Sequence, residues 1–184
     1  MTEAMDRIET SVYIAATVDG FIARADDGLD WLEHDAGGED YGYASFRETL
    51  DTLVLGRRTY EQVLGFGGQW PYAGLKTLVW SRSLTTTDIP EPLRLQGVEV
   101  SALSPVQLLE EAGGRGLKHA WIDGGQAIKA FLAAGLVDVL TVTRLPILIG
   151  DGIPLFGALP TDIRLEHLNT RAFRSGVVQS SYAT

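Results

Sequence analysis

Apolar positions along the chain come in short blocks whose spacing alternates between strand-like runs and helix-like repeats almost from end to end. The first block, SVYIAATV at 11–18, is β-branched and aromatic enough for a buried strand, and Asp19-Gly20 closes it as a turn before FIAR briefly resumes. From 24 to 39 the chain is rich in Asp and Gly around one apolar island, DWLEH, which predicts a long connection of the functional or mobile kind. Tyr43, Phe46, Arg47 and Leu50 then return at helical spacing and predict a first helix over 40–50.

Strands are predicted next at 52–55, 76–81 and 97–103, with a helix at about 59–64 between the first two. SPVQLLEEAGGRG, 104–116, opens with a serine cap and a first-turn proline and stops at paired glycines, so it reads as a helix. KHAWIDGG at 118–125 is a strand with its turn, and QAIKAFLAAG at 126–135 is a helix. VDVLTVTRLPIL at 137–148 is a longer strand that Pro146 ends or marks as an edge. Residues 163–183 read as two strands folded around Ser175-Gly176. Repeated strand-helix-strand units imply a mainly parallel sheet covered on both faces, and the terminal hairpin adds an antiparallel edge. The fold class is therefore α/β, a three-layer α/β/α sandwich around a mixed sheet of about eight strands.

Composition adds bounds to this picture. A chain of 184 residues that is 45% hydrophobic has room for one full core, so a single domain is expected over 1–184, with 1–10 as a flexible tail. Fifteen Lys and Arg against 24 Asp and Glu give a net charge of −9, which repels a phosphate backbone and argues against a nucleic-acid partner. The absence of cysteine excludes disulfides, thiolate metal sites and cysteine nucleophiles, and no metal site is expected. The first ten residues are polar and acidic, and no apolar run approaches the roughly 20 residues a membrane span needs, so a cytoplasmic protein without a membrane partner is expected.

In a parallel sheet, ligands gather at the carboxyl ends of the strands, and three predicted ends carry unusual chemistry. At LVLGRRTYE, Gly56 allows close backbone approach, a helix start offers free N–H groups, and Arg57 and Arg58 add bidentate donors for phosphate. At LVWSR, Ser81 and Arg82 form a second polar pair, and at WIDGGQAI, Gly124 and Gly125 precede a helix and form a backbone cradle. Each pattern alone fits a solvated helix face or an ordinary turn. Together they suggest one long ligand with several phosphates, better matched by a dinucleotide than a mononucleotide. Neither a G-x-G-x-x-G fingerprint nor a P-loop is present.

The series YIAATVDGFIA, LVLGRRTYE, TLVWSR, WIDGGQAIKAFL and LTVTRLPILIGDGIPLF resembles, in order and spacing, the dihydrofolate reductase-like superfamily. Within it the nearest likeness is to the reductase domain of bacterial riboflavin biosynthesis, the RibD C-terminal domain, over about residues 12–182. The resemblance implies an NADPH-dependent reductase transferring hydride to a small heterocycle, of the 5-amino-6-(5-phosphoribosylamino)uracil reductase type. Dihydrofolate reduction, a non-catalytic NADP-binding or dimeric scaffold, and a flavin or mononucleotide binder are the alternatives. By the same resemblance, Gly56, Arg57, Arg58 and Thr59 wrap cofactor phosphates, and Ser81 and Arg82 face the adenine ribose. Gly124, Gly125, Gln126, Ala127 and Ile128 lie beneath the pyrophosphate and nicotinamide, while Ala16 and Ile22 contact the nicotinamide.

Asp40 stands sixteen residues before Gly56, a spacing similar to that of the substrate-binding carboxylate in the folate-reducing relatives, with Thr143 of LTVTR matching its hydroxyl partner. An Asp opening a helix is also a common cap. Trp31 is a candidate lid or substrate-stacking residue, although a lone loop Trp is as often a packing anchor. Arg47, with Arg24 and Arg144, is a candidate for a substrate phosphate. A homodimer is expected from the likeness, with LPILIGDGIPLF as an interface, core or ligand-lining segment.

Overall fold

The computed structural model of the chain describes residues 7–34 and 38–184. In chain order the elements are β1 (Glu9–Thr17), β2 (Phe21–Ala23), α1 (Tyr43–Glu48), β3 (Thr52–Gly56), α2 (Arg57–Gly65), β4 (Lys76–Trp80), α3 (Glu91–Leu95), β5 (Val98–Ser101), α4 (Pro105–Gly114), β6 (His119–Asp123), α5 (Gly125–Ala133), β7 (Val139–Leu145), β8 (Ile153–Pro154), β9 (Glu166–Ala172) and β10 (Val178–Ala183). Eight strands form one sheet in the order β5-β4-β3-β6-β1-β7-β10-β9, parallel from β5 through β7 and antiparallel at the terminal hairpin. β2 and β8 make a small antiparallel pair.

The central strands are apolar throughout because both faces are covered. Leu53, Val54 and Leu55 are fully buried in succession. Strand alternation sends Val54 into the core built with Leu108 and Leu109 of α4 and Ile128 and Phe131 of α5. Leu53 and Leu55 go the other way, into a core with Tyr60 of α2, Leu93 of α3 and Trp121. Tyr43 and Phe46 of α1 cover the rim of that second core. The outcome is the three-layer α/β/α sandwich with an antiparallel hairpin edge that the sequence implied.

Several boundaries differ from expectation for identifiable reasons. α1 begins at Tyr43, because Tyr41 and Gly42 adopt positive φ of 53° and 88° and the chain turns before it can coil. α2 begins directly at Arg57, since Gly56 serves both as the last strand residue and as the extended cap of the helix. The five-residue α3 is too short to leave a periodic signal in the sequence. The expected tail over 1–10 is contradicted in part: Ile8 is buried, Arg7 pairs with Asp138, and Glu9 opens β1, while residues 1–6 lie outside the described residues.

α4 carries the expected cap: the Ser104 hydroxyl accepts from the Gln107 N–H at 3.4 Å, and Gln107 Oε1 accepts from the Ser104 N–H at 3.2 Å. Asp19 does more than close a turn, because its carboxylate accepts the N–H groups of Ile149 and Gly150 at 3.0 and 2.8 Å and ties the first turn to the loop before β8. Within LPILIGDGIPLF, Leu155 is buried, Ile153 pairs with Ala23, and Leu148 and Phe156 are exposed. Among the described residues no helix is long and apolar enough to cross a membrane.

Candidate active site

The site exists because two neighbouring strands separate. β1 pairs with β6 only from Glu9↔His119 to Ser11↔Trp121. Beyond Ser11, β1 stays with β7 as far as Thr17↔Leu145, whereas β6 stays with β3 as far as Leu55↔Asp123. Between the diverging halves lies a cavity of about 540 Å³, within the range of ligand pockets. It lies at the carboxyl ends of the parallel strands, where open α/β sheets bind ligands.

One end of the cavity is built for anions. Arg57, Arg58 and Thr59 form the first turn of α2, where backbone N–H groups have no partner inside the helix, and no side chain caps them. α5 opens the same way after Gly124, which has φ 96° and no side-chain cap. A Cβ on Gly124 would meet Thr59 Oγ1 at 2.6 Å and the Gly56 N at 3.3 Å, so glycine there keeps the two helix starts close together. Arg57 bridges α2 and the segment after β4, donating to Glu61 at 2.7 Å and to Ser83 Oγ at 2.8 Å. Arg58 donates to Asp27 at 2.6 Å, and Gln62 donates to the Asp27 carbonyl, so both strap the first long loop across the groove. Ser81 Oγ accepts from the N–H of Leu84 at 3.0 Å and orders the turn that carries Arg82. Three guanidiniums and two uncapped nine-residue helix starts around one cavity are a donor set that fits a pyrophosphate with a further phosphate.

Of the residues singled out in the sequence, Ile22, Trp31, Gly56, Arg57, Arg58, Thr59, Ser81, Arg82, Gly124, Gly125 and Gln126 meet on this one cavity. Ala16, Ala127 and Ile128 sit instead in the α4/α5 core, and Ile14 and Ala15 supply the β1 wall.

Trp31 borders the cavity with its side chain buried against Leu145, Phe173 and Val177, the surroundings of the packing anchor that is the other reading of this residue. Arg47 donates to the Ala73 carbonyl at 2.8 Å and does not line the cavity. Asp40 and Thr143 are not brought together by hydrogen bonds. The exposed Asp40 carboxylate accepts the N–H groups of Gly42 and Ala44 at 2.9 and 3.1 Å, which hold its pKa below the usual carboxylate range with help from the Arg171 charge. Thr143 Oγ1 accepts from Gln179, which also donates to the Tyr13 hydroxyl.

Besides Asp27, which pairs with Arg58, the cavity wall carries a second acid, Asp123, that the sequence reading did not single out as an acid. Asp123 ends β6 on the same face as Trp121, and burial pushes its carboxyl up to about 6, against the lowering effect of the Gly124 N–H that donates to it at 2.9 Å. The Tyr72 hydroxyl is pushed well above the ordinary phenol range, first by burial and then by the Asp123 charge. The signal was legible in WIDGGQ: an acid at the end of a buried strand, with alternation placing it beside the tryptophan.

The α/β/α sheet with a cleft at the parting of β1 and β6 has the dihydrofolate reductase-like fold. The profile of the RibD C-terminal domain matches residues 73–179. The uncharacterized protein YwjB of Bacillus subtilis (strain 168) is 32% identical over 174 residues, covering 92% of this chain and 94% of its own length. A crystal structure from Shewanella sp. PV-4, named for riboflavin biosynthesis, matches with a TM-score of 0.89 at 31% identity, covering 96% of this chain and 98% of that one. Dihydrofolate reductase from Enterococcus faecalis, solved with NADP(H), shares the fold at a TM-score of 0.65 and 20% identity, covering 95% of each chain. The chain belongs to the RibD C-terminal domain family.

Proposed function

We propose that the chain is an NADPH-dependent reductase that delivers hydride to a C=N or C=O carbon of a small heterocyclic substrate, an activity of the 5-amino-6-(5-phosphoribosylamino)uracil reductase type. The observation that carries this reading is the convergence of Gly56-Arg57, Ser81-Arg82 and Gly124-Gly125 on the cleft between β1 and β6. Membership of the RibD C-terminal family and the NADP(H) held by the Enterococcus relative support it. When bound, NADPH supplies the hydride. Arg57, Arg58 and Arg82, with the first-turn N–H groups of α2 and α5, would hold its phosphates, and three cations would favour NADPH over NADH. Ile14, Ala15 and Ile22 give an apolar wall that excludes water from the reacting carbon.

Asp123 carries the proton. With its carboxyl titrating at about 6, the acid form persists close to neutral pH and would hold a proton for the substrate nitrogen or oxygen. The balance is NADPH + H⁺ + C=N → NADP⁺ + HC–NH, and water then returns the proton to the carboxylate. An aminouracil ring, the riboflavin-pathway heterocycle, presents N–H donors beside C=O acceptors, and a pterin presents an N–H and C=N edge; a carboxyl can engage either. The experiment is turnover: purified chain is mixed with NADPH and a panel of aminouracils and dihydropterins, and the loss of reduced nicotinamide absorbance is followed. Substrate-dependent oxidation of NADPH is expected. Bound NADPH with no turnover on any ring of the panel would contradict the catalytic reading.

A further inference from the structure

We propose that the Asp27 carboxylate is an internal rival of the cofactor's phosphates for Arg58, so that NADPH binding exchanges one anion for another and frees the tip of the first long loop from α2. The proposal takes its ligand from the reductase reading and adds a residue that sets the affinity of the phosphate end.

The loop between β2 and Trp31 is closed on itself. The Arg24 N–H donates to the Gly28 carbonyl at 2.9 Å, and the Asp27 N–H donates to the Arg24 carbonyl at 3.0 Å. Two of its acids are satisfied within the loop: Asp26 accepts the Gly28 N–H at 3.1 Å, and Asp30 takes a bidentate pair from Arg24 at 2.6 and 2.8 Å. Asp27 reaches out of it instead. Its φ of 69° lies in the left-handed region, which Asp tolerates better than most residues. Its carboxylate accepts from Arg58 Nη2 at 2.6 Å, its one hydrogen-bond partner among the described residues. The tip has one further hydrogen bond to α2 among the described residues, from the Gln62 amide to the Asp27 carbonyl.

Asp27 and Arg58 both stand on the cavity wall, beside the uncapped first turn of α2. A phosphate drawn to that turn therefore meets a carboxylate on the guanidinium that would receive it. Two anions crowded onto one guanidinium repel each other, and the phosphate has the stronger hold. It also collects free N–H groups of the helix start, whereas the Asp27 carboxylate bonds Arg58 alone. The side chains are 60% exposed for Arg58 and 42% for Asp27, so the pair is weak and each member has water to move into. Displacing an exposed pair of this kind lowers ligand affinity by no more than about fivefold. The coupling is reciprocal: contacts that hold the tip on Arg58 weaken the cofactor, and the cofactor loosens the tip by the same factor. The base of the loop stays fixed, because Trp31 is buried against Leu145, Phe173 and Val177.

The test is titration of NADPH, and separately of inorganic pyrophosphate, into wild-type chain, Asp27→Asn, Arg58→Gln and the double variant at about 0.15 M salt. Asn suits a left-handed backbone and leaves the Asp27 carbonyl to Gln62; Asp27→Gly fits the same backbone and must give the same result. Asp27→Asn is expected to bind both ligands about threefold to fivefold tighter than wild type, and in the Arg58→Gln background the same change is expected to alter affinity less than about twofold. Equal or weaker binding by Asp27→Asn means that Asp27 steadies the arginine, and overturns the proposal. Equal tightening with and without Arg58 overturns it too, because the carboxylate then acts by its charge alone. A second arm uses the absence of cysteine from the chain. A nitroxide on Ala25→Cys, an exposed position at the loop tip, is expected to move faster once NADPH is bound and to be already fast in Asp27→Asn. A label that slows or stays unchanged with NADPH overturns the exchange. Wild-type chain that binds pyrophosphate but not NADPH refutes the reductase reading, and the pyrophosphate series still decides the exchange at Arg58. Binding of neither ligand overturns both.

Discussion

Replacing Asp123 with asparagine removes a carboxyl that burial holds protonated to unusually high pH, while keeping an oxygen to accept the Gly124 N–H. The group titrates at about 6 in the folded chain and near its ordinary 3.8 when unfolded. Between those values the folded state keeps a proton that the unfolded chain has released, so the stability associated with this group is full below 3.8 and is lost as pH rises through about 6. At about 1.4 kcal/mol per tenfold change in proton concentration, the difference sets an upper bound of about 3 kcal/mol. The carboxyl faces a cavity that solvent reaches, which reduces the figure to about 1–2 kcal/mol. Asparagine is neutral throughout and escapes the penalty. Urea unfolding of both proteins near pH 4 and near pH 8 isolates the effect, since every other carboxylate is common to the pair. The variant is expected to gain about 1–2 kcal/mol on wild type between the two pH values. A constant difference between the proteins at both pH values would refute the reasoning.

Gly124→Ala places a Cβ 2.6 Å from Thr59 Oγ1 at φ 96° and is expected to cost about 2–4 kcal/mol in urea unfolding, with NADPH affinity falling as the two helix starts move apart. Trp31→Ala empties a fully buried site against Leu145, Phe173 and Val177 and is expected to destabilise by about 3–5 kcal/mol, read from the same unfolding curves. Asp40→Asn keeps one oxygen, enough to accept from one of the Gly42 and Ala44 N–H groups, and is expected to melt between wild type and Asp40→Ala, which keeps neither; equal melting of the two variants would remove the capping role.

Most of the architecture was readable because buried parallel strands are written as continuous apolar runs and α4 announces itself with Ser104, Pro105 and paired glycines. The two helix starts at the phosphate end were readable because glycine and arginine are needed there for local reasons, close approach and charge. Long-range facts were not readable. That β1 leaves β6 after Ser11 is set by strand pairing between residues about a hundred positions apart, and it is this parting that turns Asp123 from a turn residue into an acid on the cavity wall. Asp40 drew attention by its spacing, but Tyr41 and Gly42 turn the chain left-handed and bend its carboxylate back onto its own helix. Trp31 looked mobile within an Asp/Gly-rich loop, yet the hairpin residues that enclose it, Phe173 and Val177, lie at the other end of the chain.

The most direct measurement is the dissociation constant of NADPH for wild-type chain, Arg57→Ala and Arg82→Ala, read from nicotinamide fluorescence after thermal melts show all three folded. Wild type is expected to bind NADPH more tightly than NADH, and each substitution, removing a charge-assisted hydrogen bond of about 1.5–3 kcal/mol, is expected to weaken NADPH at least about tenfold. If both variants bind NADPH as wild type does, the ends of β3 and β4 do not hold the cofactor and the reductase site lies elsewhere.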